Sequence, residues 1–213
     1  MGGKSVRVAA STEPRQAAWM ASAALLIGLA ACALAPLARA DDVPQPSEAD
    51  LAAARAATKD LGETLKAQLV AALKQGGPRA AVDVCRTIAP AIAAETSGAH
   101  GLEVGRTALK VRNPANAPDV FERKVLEEFV QKIEAGADPA TLEHAEVVAE
   151  NGETVFRYMK AIPTAAEPCL ACHGSNIDPG LKAEILRLYP EDQATGFKAG
   201  ELRGAFTVTR KLR

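Results

Sequence analysis

The stretch LEHAEVVAENGETVFRYMKAI, residues 142–162, decides the fold. Asn151-Gly152 at its centre is a strong two-residue hairpin turn, because both residue types tolerate the positive φ that such a turn demands. Residues 142–149 and 154–162 are therefore expected to be antiparallel strands. Working outward, residues 179–188 predict a short helix and 201–209 a final strand. On the other side, Phe121, Val125, Phe129 and Ile133 recur at steps of four, which predicts a helix over about 118–135. Residues 102–111 read as extended, and Asn113-Pro114 breaks the chain there. Two helices precede them. Ser47 followed by Asp50 opens the first, over about 48–74, with Leu51, Thr58, Leu61, Leu65, Leu69 and Leu73 at helical spacing. Gly76-Gly77 closes it, and Pro78 opens the second, which runs to about Thr96 and carries Val82, Cys85, Ile88 and Ile92. Helices, then a hairpin, then a strand predict one α+β domain over 48–213. Its antiparallel sheet should hold 154–161 beside 201–209.

Composition narrows the class. The chain has 213 residues, 48% hydrophobic and 24% charged, so it is neither a disordered chain nor a multispan membrane protein. Aromatics make up only 4%, so the core is expected to be Ala, Leu, Val and Ile. With 25 basic and 26 acidic residues, nothing suggests a nucleic-acid partner. The chain shows no Ser-His-Asp order, no phosphate loop and no motif of paired acids. Glu127-Glu128 reads as a solvated helix face.

The first forty residues read as an address. Lys4, Arg7 and Arg15 precede an apolar run from Ala17 to Leu37, which exits through Ala38-Arg39-Ala40. That pattern describes a secretory signal peptide over 1–40, followed by a Pro-rich acidic linker over 41–47. Two alternatives stay open: an uncleaved membrane anchor, and lipidation at Cys32 within Leu29-Ala30-Ala31-Cys32. Cleavage after Ala40 leaves 173 residues of net charge −4, with one methionine, three histidines and three cysteines, Cys85, Cys169 and Cys172. An odd cysteine count in an exported chain needs an explanation.

Cys169-Leu170-Ala171-Cys172-His173 supplies most of it. C-x-x-C-H is the attachment motif of c-type haem: two thiols three positions apart form thioethers to one porphyrin, and the next residue presents an imidazole to the iron. A zinc site would need a fourth ligand at finger spacing, and a thioredoxin-like dithiol fits poorly with Pro168 and the adjacent histidine. One covalent haem c is thus expected, with His173 on the iron. The opposite ligand has four candidates, Met159, His100, His144 and Cys85. Arg106, Lys110 and Arg112 alternate along the extended segment and are candidates to carry the haem carboxylates. Their plainer reading is a solvated basic edge strand.

Several spaced motifs add a resemblance. Cys85 is followed by Ala89-Pro90. Gly105-Arg106-Thr107 comes with Lys110 and Arg112-Asn113-Pro114, and Asn116 with Pro118-Asp119. Cys169 to Gly174, Tyr189-Pro190 with Asp192, Ala194 and Gly196, and Gly200-Glu201-Leu202-Arg203-Gly204-Ala205 follow in order. Over roughly residues 50–210 this resembles the c-type haem PAS-like domain family, periplasmic monohaem cytochromes and the ectodomains of membrane sensors. The resemblance implies a PAS-like antiparallel sheet with long N-terminal helices. It also implies that Cys85 ligates the iron opposite His173. Ala108, Phe121 and Phe197 depart from the family's usual Ser, Trp and Tyr.

Three functions follow as expectations. The first is periplasmic electron transfer with an unidentified redox partner. The second is a redox or diatomic-gas sensor module whose output comes from a separate partner, since no second span and no kinase domain is present. The third is a haem enzyme such as a peroxidase, which needs an open iron position that a Cys85–His173 pair would close. Membrane contact is expected only through residues 1–40 or a lipid on Cys32.

Overall fold

The computed structural model describes residues 44–212. The signal peptide read at 1–40, Cys32 within it and the first residues of the 41–47 linker lie outside the described residues.

Helix α1 (Glu48–Asp83) starts where Ser47 and Asp50 form a capping box: the Ser47 hydroxyl accepts from the Asp50 amide at 3.1 Å, and the Asp50 carboxylate accepts from the Ser47 amide at 3.3 Å. Asp50 also pairs with Arg210 at the far end of the chain. The break expected at Gly76-Gly77 is present as a kink. Gly77 has φ 69°, a conformation only glycine adopts readily, and Pro78 resumes the helix. A π-helical turn, Val84–Ile88, follows and holds Cys85. Helix α2 (Ala89–His100) then ends at Gly101, which is left-handed at φ 63°. The second helix expected to end near Thr96 thus reaches His100.

The remaining elements are β1 (Glu103–Thr107), α3 (Val120–Glu134), β2 (Glu143–Glu150), β3 (Glu153–Pro163), α4 (Cys169–His173), α5 (Pro179–Leu188) and β4 (Leu202–Leu212). Strands β2 and β3 turn at Asn151 and Gly152, both at positive φ, 52° and 80°. The four strands form an antiparallel sheet in the order β1-β4-β3-β2. In it Thr154 pairs with Leu212 and Ala161 with Ala205, so the expected partnership of 154–161 with the C-terminal strand is observed. The protein is α+β, as its sequence predicts.

Alternation along β3 builds two apolar layers. Phe156 and Tyr158 pack with Ala54, Ala57 and Leu61 of α1 and with Ile92 of α2. Met159 and Ala161 point the other way, against Val125, Leu126 and Phe129 of α3. Leu61 and Phe156 are fully buried, and each such side chain stabilises the fold by about 1.5–3 kcal/mol. Arg157 lies on the α3 side with a side chain only 5% exposed, so it needs anions around it. It donates to Asp119 at 2.6 Å and Glu150 at 2.8 Å, and its guanidinium covers the Phe121 ring at 4.6 Å. Beyond Leu61, α1 runs past the packed part of the sheet. There, near the end of β1 and the start of β4, the elements leave a cavity.

Candidate cofactor-binding site

The cavity has a volume of about 420 Å³, within the range of roughly 300–1,000 Å³ typical of small-molecule sites. Leu65, Leu69 and Leu73 of α1 form one apolar wall at steps of four, and Phe206 of β4 adds to it. The π-helical turn brings Cys85, and α4 brings Cys169, Cys172 and His173. Residue groups from distant parts of the sequence thus open onto one space. Inserted π turns often mark functional positions, since they re-aim a side chain within a helix.

Short α4 is held by the loop that follows α5. The Phe197 amide donates to the His173 carbonyl at 2.9 Å and the Gly196 amide to the Gly174 carbonyl at 3.1 Å. Arg112 ties both segments together. Its guanidinium donates to both carboxylate oxygens of Asp192 at 3.0 Å, to the Cys172 carbonyl at 2.7 Å and to the Ala194 carbonyl at 3.2 Å. The Asp192 carboxylate also accepts from the Ala194 amide at 2.9 Å.

His173 is set by this clamp. Its Nδ1 lies 2.7 Å from the Ala194 carbonyl, to which it donates as N–H, leaving the Nε2 lone pair free for another partner. The Phe197 ring meets the imidazole edge-on, with centroids 6.2 Å apart at 89°. Burial, reinforced by the positive charges of Arg203 and Arg112, pushes the His173 pKa down to about 3, so the ring is neutral. Burial raises the Cys172 thiol above its ordinary value, with the Arg112 charge opposing.

The structure separates the three cations read from the sequence. Arg106 and Arg112 line the cavity. Lys110 does not; it is exposed, and its Nζ lies 4.9 Å over the Phe197 ring. Arg112 is neutralised by Asp192, and their side chains are 9% and 1% exposed. Arg106 forms no ion pair among the described residues, and burial lowers its pKa. Arg203, to which the sequence reading assigned no role, lines the same wall without an ion pair. Burial, then the charges of Arg112 and Arg106, bring it down to about 10. No spacing rule distinguishes Arg203 from the other basic residues of β4. The rival iron ligands lie outside the cavity lining: Met159 is fully buried against α3, His100 bonds Asp60 at 3.1 Å and His144 bonds Glu146 at 3.2 Å.

Comparisons with known proteins converge on one family. The model of the Tll0287-like family, described as Tll0287, matches residues 15–210. Among solved structures, the crystal structure of the cyanobacterial heme-protein Tll0287 is similar, with a TM-score of 0.55 and 26% identity, over 78% of this chain and 98% of that one. No curated protein matches the chain.

Proposed function

The chain belongs to the Tll0287-like family, and on that premise we propose that it is an exported c-type haem protein that transfers electrons. The observation that carries this reading is the shared cavity: C-x-x-C-H, a third thiol, an apolar leucine wall and two guanidiniums without carboxylate partners all line it. A flat apolar group bearing two carboxylates satisfies each of these. The leucines and Phe206 would cover its faces. Arg106 and Arg203 are half-buried cations without an ion-pair partner among the described residues, and a cation partly withdrawn from water is stabilised by an anion. Cys169 and Cys172 would hold the group through thioethers, and the free Nε2 of His173 would bind its iron. Cys85, which lines the same cavity, would bind the iron as well, as a thiolate. Bound haem supplies one-electron exchange between ferric and ferrous iron.

The protein's own residues then do three things. The Arg112–Asp192 clamp keeps α4 and the imidazole in place. The apolar wall limits water. Iron held by both His173 and Cys85 would have no open position for a substrate, which favours electron transfer over catalysis. Attachment of haem c outside the cytoplasm fits the basic-then-apolar start of the sequence, and the redox partner would be met there. Expression with haem-attachment machinery tests the reading. Haem should stay with the wild-type chain through denaturing electrophoresis and leave it in Cys169→Ala/Cys172→Ala. Covalent haem in that double variant would overturn the assignment, as would a wild-type chain that never acquires haem.

A further inference from the structure

Tyr189 is a polar group that the proposed function does not use. It follows α5 directly, is only 7% exposed, and lines the cavity. Buried tyrosine hydroxyls normally find a partner, because a desolvated O–H without one is costly. Tyr158, the other tyrosine of the described residues, obeys that rule and donates to Glu143 at 2.8 Å. The Tyr189 hydroxyl has no hydrogen-bond partner among the described residues, and the residue lines the cavity.

The surroundings indicate what the hydroxyl meets. Tyr189 packs with Val82, Leu181 and Ile185, and Cys172 borders the same cluster. Cys85 stands three residues after Val82, on the same side of the helix, and faces the same cavity. The phenol therefore stands between the helix that carries the lone thiol and the segment that carries C-x-x-C-H.

We propose that Tyr189 is a positioning residue that donates a hydrogen bond to the Cys85 sulfur when that sulfur is the axial thiolate. This rests on the reading of Cys85 as an iron ligand and deepens it. A thiolate pushes electron density onto iron and favours the ferric state. A donor on the sulfur withdraws part of that density. The potential of the bound haem then lies above that of a bare His–thiolate pair, and the sulfur leaves more easily on reduction. Arg106, which Cys85 and Tyr189 also influence, adds positive charge at the same wall.

The test is Tyr189→Phe in the haem-loaded protein, which removes one oxygen and keeps the ring. Tyr158→Phe is the control, since it loses a phenol away from the cavity. Tyr189→Phe should keep covalent haem and the ferric thiolate spectrum. Its reduction potential should fall by a factor of roughly three to ten in the ferric–ferrous equilibrium; tenfold is about 59 mV for one electron. Carbon monoxide should displace the sulfur of the reduced variant more slowly than in wild type. Tyr158→Phe should leave both readings unchanged. A Tyr189→Phe potential and displacement rate equal to wild type overturn the proposal while leaving Cys85 ligation intact. A wild-type ferric spectrum without thiolate character overturns the Cys85 reading and this proposal with it. If Tyr189→Phe melts well below wild type, Tyr189→His, which restores a donor, decides: a recovered potential supports the hydrogen bond, and a potential as low as that of Phe refutes it.

Discussion

Replacing Arg112 by Ala should destabilise the protein more than any other single change on the cavity wall. The side chain makes four hydrogen bonds, two to Asp192 and one each to the carbonyls of Cys172 and Ala194. Without it, the Asp192 carboxylate, 1% exposed, keeps only the Ala194 amide at 2.9 Å. Breaking one side of a buried ion pair costs about 3–5 kcal/mol, because the surviving charge stays desolvated. For a chain of this size each kcal/mol lowers the melting temperature by roughly 2–4 °C, so a drop on the order of 10 °C is expected. Denaturant titration of the haem-loaded protein, followed by far-ultraviolet circular dichroism, gives the free energy. Arg112→Ala, Asp192→Ala and the double variant complete a cycle whose coupling should exceed about 1.5 kcal/mol. Arg112→Lys should recover little, because an ammonium cannot span four acceptors in a fixed fork. A loss below about 1 kcal/mol in Arg112→Ala, or costs that simply add in the double variant, would show that the clamp does not hold α4.

Two further outcomes are expected. Cys85→Ala should keep covalent haem, change the ferric spectrum and raise the potential, because a strong donor to ferric iron is gone; a variant spectroscopically and electrochemically identical to wild type would make Cys85 a packing residue. Acid stability should carry a contribution from Glu143. The hydrogen bond from Arg55 holds its carboxyl below the ordinary value, against partial burial. A depressed folded pKa gives stability that is full above the unfolded value of about 4.3 and is lost as pH falls through the folded value. Denaturation midpoints measured from pH 6 down to pH 3 should therefore decline less steeply in Glu143→Gln; equal slopes would refute the linkage.

The parts of the fold that were legible rest on local chemistry. Asn151-Gly152 admits the positive φ of a hairpin turn, and Ser47 with Asp50 forms a capping box from four consecutive residues. Gly76-Gly77-Pro78 was legible as a break, although the helix resumes at once and the axis kinks. The cavity cations were less legible for two reasons. Alternation on one face holds only while a strand lasts, and β1 ends at Thr107, so Lys110 leaves the face that Arg106 occupies. Arg112 finds Asp192 80 positions later, a partner that no local pattern connects to it. Arg203 enters from β4 because the sheet places that strand between β1 and β3, and strand order is a tertiary fact.

The leucine stripe of α1 joins the legible and illegible parts. Its spacing is uniform from Leu61 to Leu73, so the sequence announces one buried face. The protein's own core buries only the first of these residues fully: Leu61 is inaccessible and Leu65 packs in part against the core, whereas Leu65, Leu69 and Leu73 all remain half-exposed on the cavity wall. The same wall holds Arg106 and Arg203 without anions and a tyrosine hydroxyl without an acceptor. Apolar surface left in water, cations left without anions and a donor left idle are each unfavourable, and by chance they would scatter over the molecule. Here they meet within reach of three cysteines and a neutral imidazole. One occupant that is apolar on its faces, anionic at its edge and metal-bearing at its centre would relieve all of them together, which is why the proposed haem is placed at this end of the fold.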